Sequence, residues 1–141
     1  MAIETLSKES ALAVEFFEAK LNFETTPFSL NQDLQKKEKV QIIDLRTPEL
    51  FAQGHIPGAI NVDFADLEKY LPKLDKHTTT VVYCYDILCR LATRAALLLA
   101  KHGYKVKEMS GGWDGWSDHD LAKEKGTASS CSTSSKHSSC A

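Results

Sequence analysis

Thr79-Thr80-Val81-Val82-Tyr83-Cys84, the run TTVVYC at residues 79–84, is β-branched and aromatic until it stops at a thiol. Side chains of this kind suit a strand covered on both faces, as in a parallel sheet. A short loop, CYDILC at 84–89, separates this strand from a helix expected from about residue 90 to 102, with Gly103 as its stop. That helix carries Leu91, Ala92, Ala95, Ala96, Leu97, Leu98 and Leu99, so much apolar surface that it is expected to lie deep against the sheet. Residues 106–109 make a last strand, Gly111 and Gly112 a tight turn, and Trp113 and Trp116 a final short helix.

The same alternation runs upstream. VQIIDL at 40–45 reads as a second buried strand. Thr47 followed by Pro48 is an N-cap with proline at the first helical position, so a short helix is expected over 48–53, stopped by Gly54. After a turn at 54–58 and a brief strand at 59–62, Asp63 caps a helix in which Phe64, Leu67 and Leu71 share a face until Pro72 ends it. Further upstream, Ser29 is taken as the cap of a helix with Leu30 and Leu34 inward. Over 10–21, Ala13, Val14, Phe17 and Leu21 recur at helical spacing, with Glu15, Glu18 and Asn22 on another face. Strands alternating with helices predict an α/β fold: a parallel or mostly parallel sheet with helices on both faces.

The 141 residues, 43% of them hydrophobic, suffice for one ordinary core. The expected division is an amphipathic helical extension at 1–22, an α/β domain at 23–122 and a disordered tail at 123–141. The stretch GTASSCSTSSKHSSCA is too poor in apolar side chains to offset its ordering entropy. A formal charge of -2 without a basic stripe speaks against nucleic acid and anionic membrane surfaces as partners. Residues 1–10 lack a basic start followed by an apolar run, and no stretch approaches the roughly 20 apolar residues of a membrane span. A cytoplasmic protein, monomeric and with its four cysteines reduced, is the expectation.

In an open α/β sheet, ligands bind beyond the carboxyl ends of the strands, where Cys84 sits. Its loop leads into a helix N-terminus, whose orphan amides and dipole favour an anion and would hold a thiolate. The competing reading makes Cys84 one more buried small apolar residue. Cys89 is open to three readings: a resolving thiol for Cys84, the nucleophile itself, or a packed helix residue. The strand-end position favours Cys84 as nucleophile. In the tail, Cys131, His137 and Cys140 are soft ligands or sulfur acceptors by type, but their spacing matches no familiar zinc pattern. No metal or cofactor is expected.

Three segments resemble the rhodanese (sulfurtransferase) domain family: Ile42-Ile43-Asp44-Leu45-Arg46 with Gly54-His55-Ile56-Pro57-Gly58-Ala59-Ile60-Asn61, then Val81-Val82-Tyr83-Cys84, then Gly111-Gly112-Trp113 with Trp116. The resemblance spans roughly residues 23–121. It implies a five-stranded parallel sheet flanked by helices, with Cys84 taking a sulfane sulfur from a donor such as thiosulfate and passing the persulfide sulfur to a thiol or protein acceptor. It further implies a cradle of loop amides over Tyr85, Asp86, Ile87, Leu88, Cys89 and Arg90, structural support from Asp44 and Arg46, and a packed rather than catalytic His55. The loop departs from the family, in which small or glycine residues and then arginine and serine or threonine follow the cysteine. Here it has no glycine, is longer, and places an acidic Asp86 beside the expected anion site. Cys84 and Arg90 also stand in the C-x5-R spacing of tyrosine phosphatases and arsenate reductases, which makes oxyanion chemistry a second reading. A non-enzymatic redox or protein-binding module is the third.

Overall fold

A computed structural model describes residues 5–127 of the chain. Tail residues Cys131, His137 and Cys140 lie outside the described residues. The sheet comprises β1 (Glu24–Thr25), β2 (Val40–Asp44), β3 (Ile60–Asn61), β4 (Thr79–Tyr83) and β5 (Val106–Met109). Their order is β1-β5-β4-β2-β3, with every neighbouring pair parallel. The expected α/β architecture is the observed one, and β4, the run that ends at Cys84, is the middle strand.

Six α-helices cover the sheet among the described residues: α1 (Lys8–Phe23), α2 (Pro27–Gln35), α3 (Pro48–Gln53), α4 (Leu67–Tyr70), α5 (Leu91–Lys101) and α6 (Gly112–Ser117). Strand alternation sorts the core into two layers. Ile43, Val82 and Cys84 face α4 and α5 and pack with Leu67, Ala92, Ala95 and Leu99. Ile42, Val81 and Tyr83 face α2, α3 and α6 and pack with Leu30, Phe51 and Trp116. Cys84 and Tyr83 therefore point to opposite faces of one strand end.

Several local expectations are corrected. The second helix starts at Pro27, capped by Thr26, whose hydroxyl oxygen accepts from the Ser29 amide. Thr26-Pro27 thus repeats the Thr47-Pro48 device, which caps α3 as expected. The helix expected through Phe64, Leu67 and Leu71 is broken into 3-10, α and 3-10 turns, and Pro72 withholds an amide from the last of them. In α5 only Ala92, Ala95 and Leu99 are buried, and Leu97 is exposed, so this helix lies on the sheet by one stripe rather than being engulfed. The amphipathic stretch forms α1, in which no residue is buried and Phe16, Phe17 and Phe23 are alike exposed.

The strand ends are tied by a buried polar group of residues. Asp44 and Arg46 are both buried, and the guanidinium donates from Nε and Nη2 to the carboxylate at 2.8–3.2 Å. The Arg46 amide donates to Asp44 Oδ1 at 2.8 Å and its Nη2 to the Gly54 carbonyl at 2.6 Å. Tyr83, paired with Asp44 in the sheet register, donates its hydroxyl to Oδ2 and accepts the Ile56 amide at 3.2 Å. Burial first, and the Asp44 charge second, push the Tyr83 phenol up, so it stays protonated as a donor. Breaking one partner of such a pair strands the other charge in the core. Arg46→Met should cost about 3–5 kcal/mol of unfolding free energy, read from the urea midpoint at unchanged slope.

Candidate active site

Cys84 follows β4 directly and is only 2% exposed. Its environment is built by three segments. First, the start of α6 presses against the loop: the amides of Trp113 and Asp114 donate to the carbonyls of Cys84 and Tyr85 at 2.9 and 3.0 Å. This approach needs Gly112, with φ of 58°, because a Cβ there would sit 2.8 Å from the Asp86 nitrogen and from the Tyr85 carbonyl carbon. Second, Trp113 lies over the Arg46 guanidinium at 4.5 Å, so the Asp44–Arg46 pair supports the same turn.

Third, Asp86 folds the loop onto itself. Its Oδ1 accepts the amides of Leu88 at 2.9 Å and Cys89 at 3.1 Å, and the Cys89 amide also lies 3.2 Å from the Asp86 carbonyl. The turn brings Cys89 back over Cys84, with the two sulfurs 2.8 Å apart and both thiols free. Two of the amides expected to cradle a bound anion are therefore occupied by the protein's own carboxylate. Burial, followed by the hydrogen bond and the charge of Cys89, pushes the Cys84 thiol well up, against a smaller lowering contribution from the Tyr85 amide. Burial and the contact with Cys89 thus disfavour the thiolate that an open helix terminus would stabilise. The reason is local: Cys84 lies inside the strand end, and the amides nearest the start of α5 serve Asp86.

The two sulfurs open onto a cleft of about 640 Å³. Asp86, Ile87, Cys89 and Arg90 line one side, and Glu108, Ser110, Gly111 and Gly112 the floor. The remaining wall comes from α1 through Phe16, Ala19, Lys20 and Phe23. These four recur at i, i+3, i+4 and i+7, a helical stripe as regular as the one centred on Phe17; which stripe faces the domain was not readable from periodicity alone. The loop tip, Ile87 and Leu88, is 80% and 82% exposed. Tyr85 is half-buried, and Arg90 is exposed at the mouth. Among the lining charges, Lys20 pairs with Glu24 at 2.8 Å, while Glu108 accepts the Thr93 hydroxyl. Lys20 and Arg90 face three carboxylates, Glu24, Asp86 and Glu108, so the cleft has no cationic excess.

Outside this cleft, His55 is buried, stacked on Phe51 with centroids 3.7 Å apart, and its Nδ1 meets the Phe51 carbonyl at 2.7 Å. Its backbone pairs with Glu124, which also accepts the Gly58 amide. His55 is packed, as the sequence led us to expect, and stands apart from the thiols. Among the described residues no group of three or more His, Cys, Asp or Glu side chains could hold a metal ion, and no helix is long and apolar enough to cross a membrane.

Comparison with known proteins agrees with the fold. A family model described as "Rhodanese-like domain" matches residues 27–119. The chain is 32% identical over 88 residues to the thiosulfate sulfurtransferase GlpE of Coxiella burnetii, which covers 62% of this chain and 80% of that protein. It is 33% identical over 95 residues to an HTH-type transcriptional regulator of Mycobacterium tuberculosis, covering 66% of this chain but only 42% of the regulator. The crystal structure of the BH2092 protein from Bacillus halodurans superposes with a TM-score of 0.75 at 30% identity, covering 82% of this chain and 86% of that one. A full-length protein from Lactobacillus plantarum gives 0.74 at 26% identity, covering 82% and 98%.

A raised thiol pKa has a direct signature. The rate of Cys84 alkylation by iodoacetamide, mapped by tandem mass spectrometry, should climb about tenfold per pH unit from neutrality into the alkaline range. A plateau near neutral pH would mean that Cys84 rests as a thiolate.

Proposed function

The chain belongs to the rhodanese-like domain family, and from that membership we propose that it is a sulfurtransferase in which Cys84 accepts a sulfane sulfur as a persulfide and yields it to a thiophilic acceptor. The observation that carries this reading is the placement of Cys84 at the carboxyl end of the central strand, where it lines the cleft beside Cys89. The attacking sulfur of Cys84, once deprotonated, bonds to the outer sulfur of the donor, and the donor's remaining half leaves with the bonding pair. Asp44 and Arg46 act at a distance, by fixing the turn against which the loop and α6 are packed.

The donor is best matched by a persulfide on a small thiol or on a protein. Thiosulfate is a dianion, and it would meet Asp86 and Glu108 with two loop amides already taken. The persulfide group itself brings at most one negative charge to the loop against the two of thiosulfate, and the group that bears it can meet the apolar side chains of Phe16, Phe23 and Ile87. The C-x5-R reading has less behind it: Arg90 is at the mouth, but an oxyanion would need the amides that Asp86 holds.

Two substitutions test the proposal. Cys84→Ser should lower sulfur transfer to cyanide, from thiosulfate or from glutathione persulfide, by more than about a hundredfold. Full turnover in that variant, with loss only on Cys89→Ser, would move the nucleophile to Cys89. Asp86→Asn keeps an acceptor for the loop amides but removes the charge. It should lower the KM for thiosulfate about threefold to tenfold while leaving the KM for a persulfide nearly unchanged; an equal effect on both would count against charge as the basis of donor choice.

A further inference from the structure

Cys89 is built into the site in a way that simple relay of sulfur does not use. The Asp86 turn spends its side-chain oxygen and its carbonyl on the Cys89 amide, and the result is a second thiol in contact with the first. Cys84 is buried, whereas Cys89 is half-buried and lines the same cleft. An external acceptor must therefore enter past Cys89 to reach the sulfur on Cys84.

We infer that Cys84 and Cys89 act together as a dithiol that reduces the delivered sulfane sulfur and releases it as hydrogen sulfide, a reaction different from passing the sulfur on. This rests on the reading of Cys84 as the sulfur acceptor. In the first step a persulfide R–S–SH gives Cys84–S–SH and R–SH: the Cys84 sulfur bonds the outer sulfur, the donor S–S bond breaks, and the thiol proton goes to the departing R–S⁻. In the second, Cys89 attacks the Cys84 sulfur itself. The new bond is the Cys84–Cys89 disulfide, the bond that breaks is the persulfide S–S, and hydrosulfide leaves with the electron pair and takes up the Cys89 proton. The sulfane sulfur is reduced and the two cysteines are oxidised. A dithiol reductant, small or protein-borne, then returns both thiols, so that one persulfide and one dithiol become a thiol, hydrogen sulfide and a disulfide.

Two features favour the second step. The attacking sulfur already lies in contact with the sulfur it must reach, which makes the reaction intramolecular. Hydrosulfide is a better leaving group than an alkyl thiolate because its conjugate acid is the stronger acid.

The test uses the full chain, fully reduced and freed of reductant, given one equivalent of glutathione persulfide. Released sulfide is measured, and the tryptic peptide 77–90, which holds both cysteines, is weighed. The wild-type chain should release close to one sulfide per chain above a Cys84→Ser/Cys89→Ser blank, and its peptide should lack two hydrogens. In Cys89→Ser the peptide should instead gain one sulfur on Cys84, with sulfide release lowered at least about tenfold. A wild-type chain that keeps the added sulfur and releases no sulfide would overturn the inference while leaving the Cys84 acceptor intact. If Cys89→Ser takes up no sulfur and Cys84→Ser does, the acceptor assignment falls and the inference with it.

Discussion

The buried pair of Asp44 and Arg46 is the constraint from which the rest of the site is assembled. A carboxylate and a guanidinium in the core are tolerable only if every lone pair and proton finds a partner, and here the partners are the structural joints of the domain. Asp44 receives Tyr83 from the neighbouring strand, Arg46 holds the Gly54 carbonyl at the end of α3, and Trp113 lies over the guanidinium. Because Tyr83 is bonded toward one face of β4, the next residue, Cys84, must point to the other. The pleat of one strand therefore separates the polar joint from the reactive sulfur by a single peptide unit.

The second determinant is where the loop keeps its negative charge. Backbone amides between a strand end and a helix start form an anion site when they are vacant. Here the Asp86 carboxylate occupies those of Leu88 and Cys89, so the loop is satisfied before any ligand arrives. The same two bonds close the turn that sets Cys89 against Cys84. One acidic side chain thus makes the cleft less hospitable to a dianion and supplies the second thiol.

Much of this was legible in the sequence and some was not, for reasons that differ by residue. The strand TTVVY and the Thr47-Pro48 cap are local signals, and local signals survive folding. Thr26-Pro27 carries the same signal, and Ser29, which by residue type competes with it as a cap, supplies the capped amide instead. On α1 two apolar stripes compete, and only tertiary contact selects Phe16, Ala19, Lys20 and Phe23 for the cleft wall. The position of Cys84 followed from its place after a buried strand, but its protonation state did not. A helix terminus stabilises a thiolate only through open amides, and whether Asp86 fills them is a matter of side-chain geometry that composition does not encode.

A high pKa at Cys84 is compatible with sulfur chemistry once nucleophilicity and leaving ability are weighed together. Thiolate nucleophilicity rises with thiol pKa, so a rarely ionised Cys84 is a stronger nucleophile in the fraction of time it is charged. The same burial that delays ionisation would exclude water from a persulfide on this sulfur. It also makes Cys84 a poor leaving group, so transfer of the outer sulfur to an acceptor, which must expel Cys84, is slowed by the property that favours its capture. Attack on Cys84 by Cys89 expels hydrosulfide instead and does not pay that penalty. The depth of the first thiol and the proximity of the second therefore favour the same outcome.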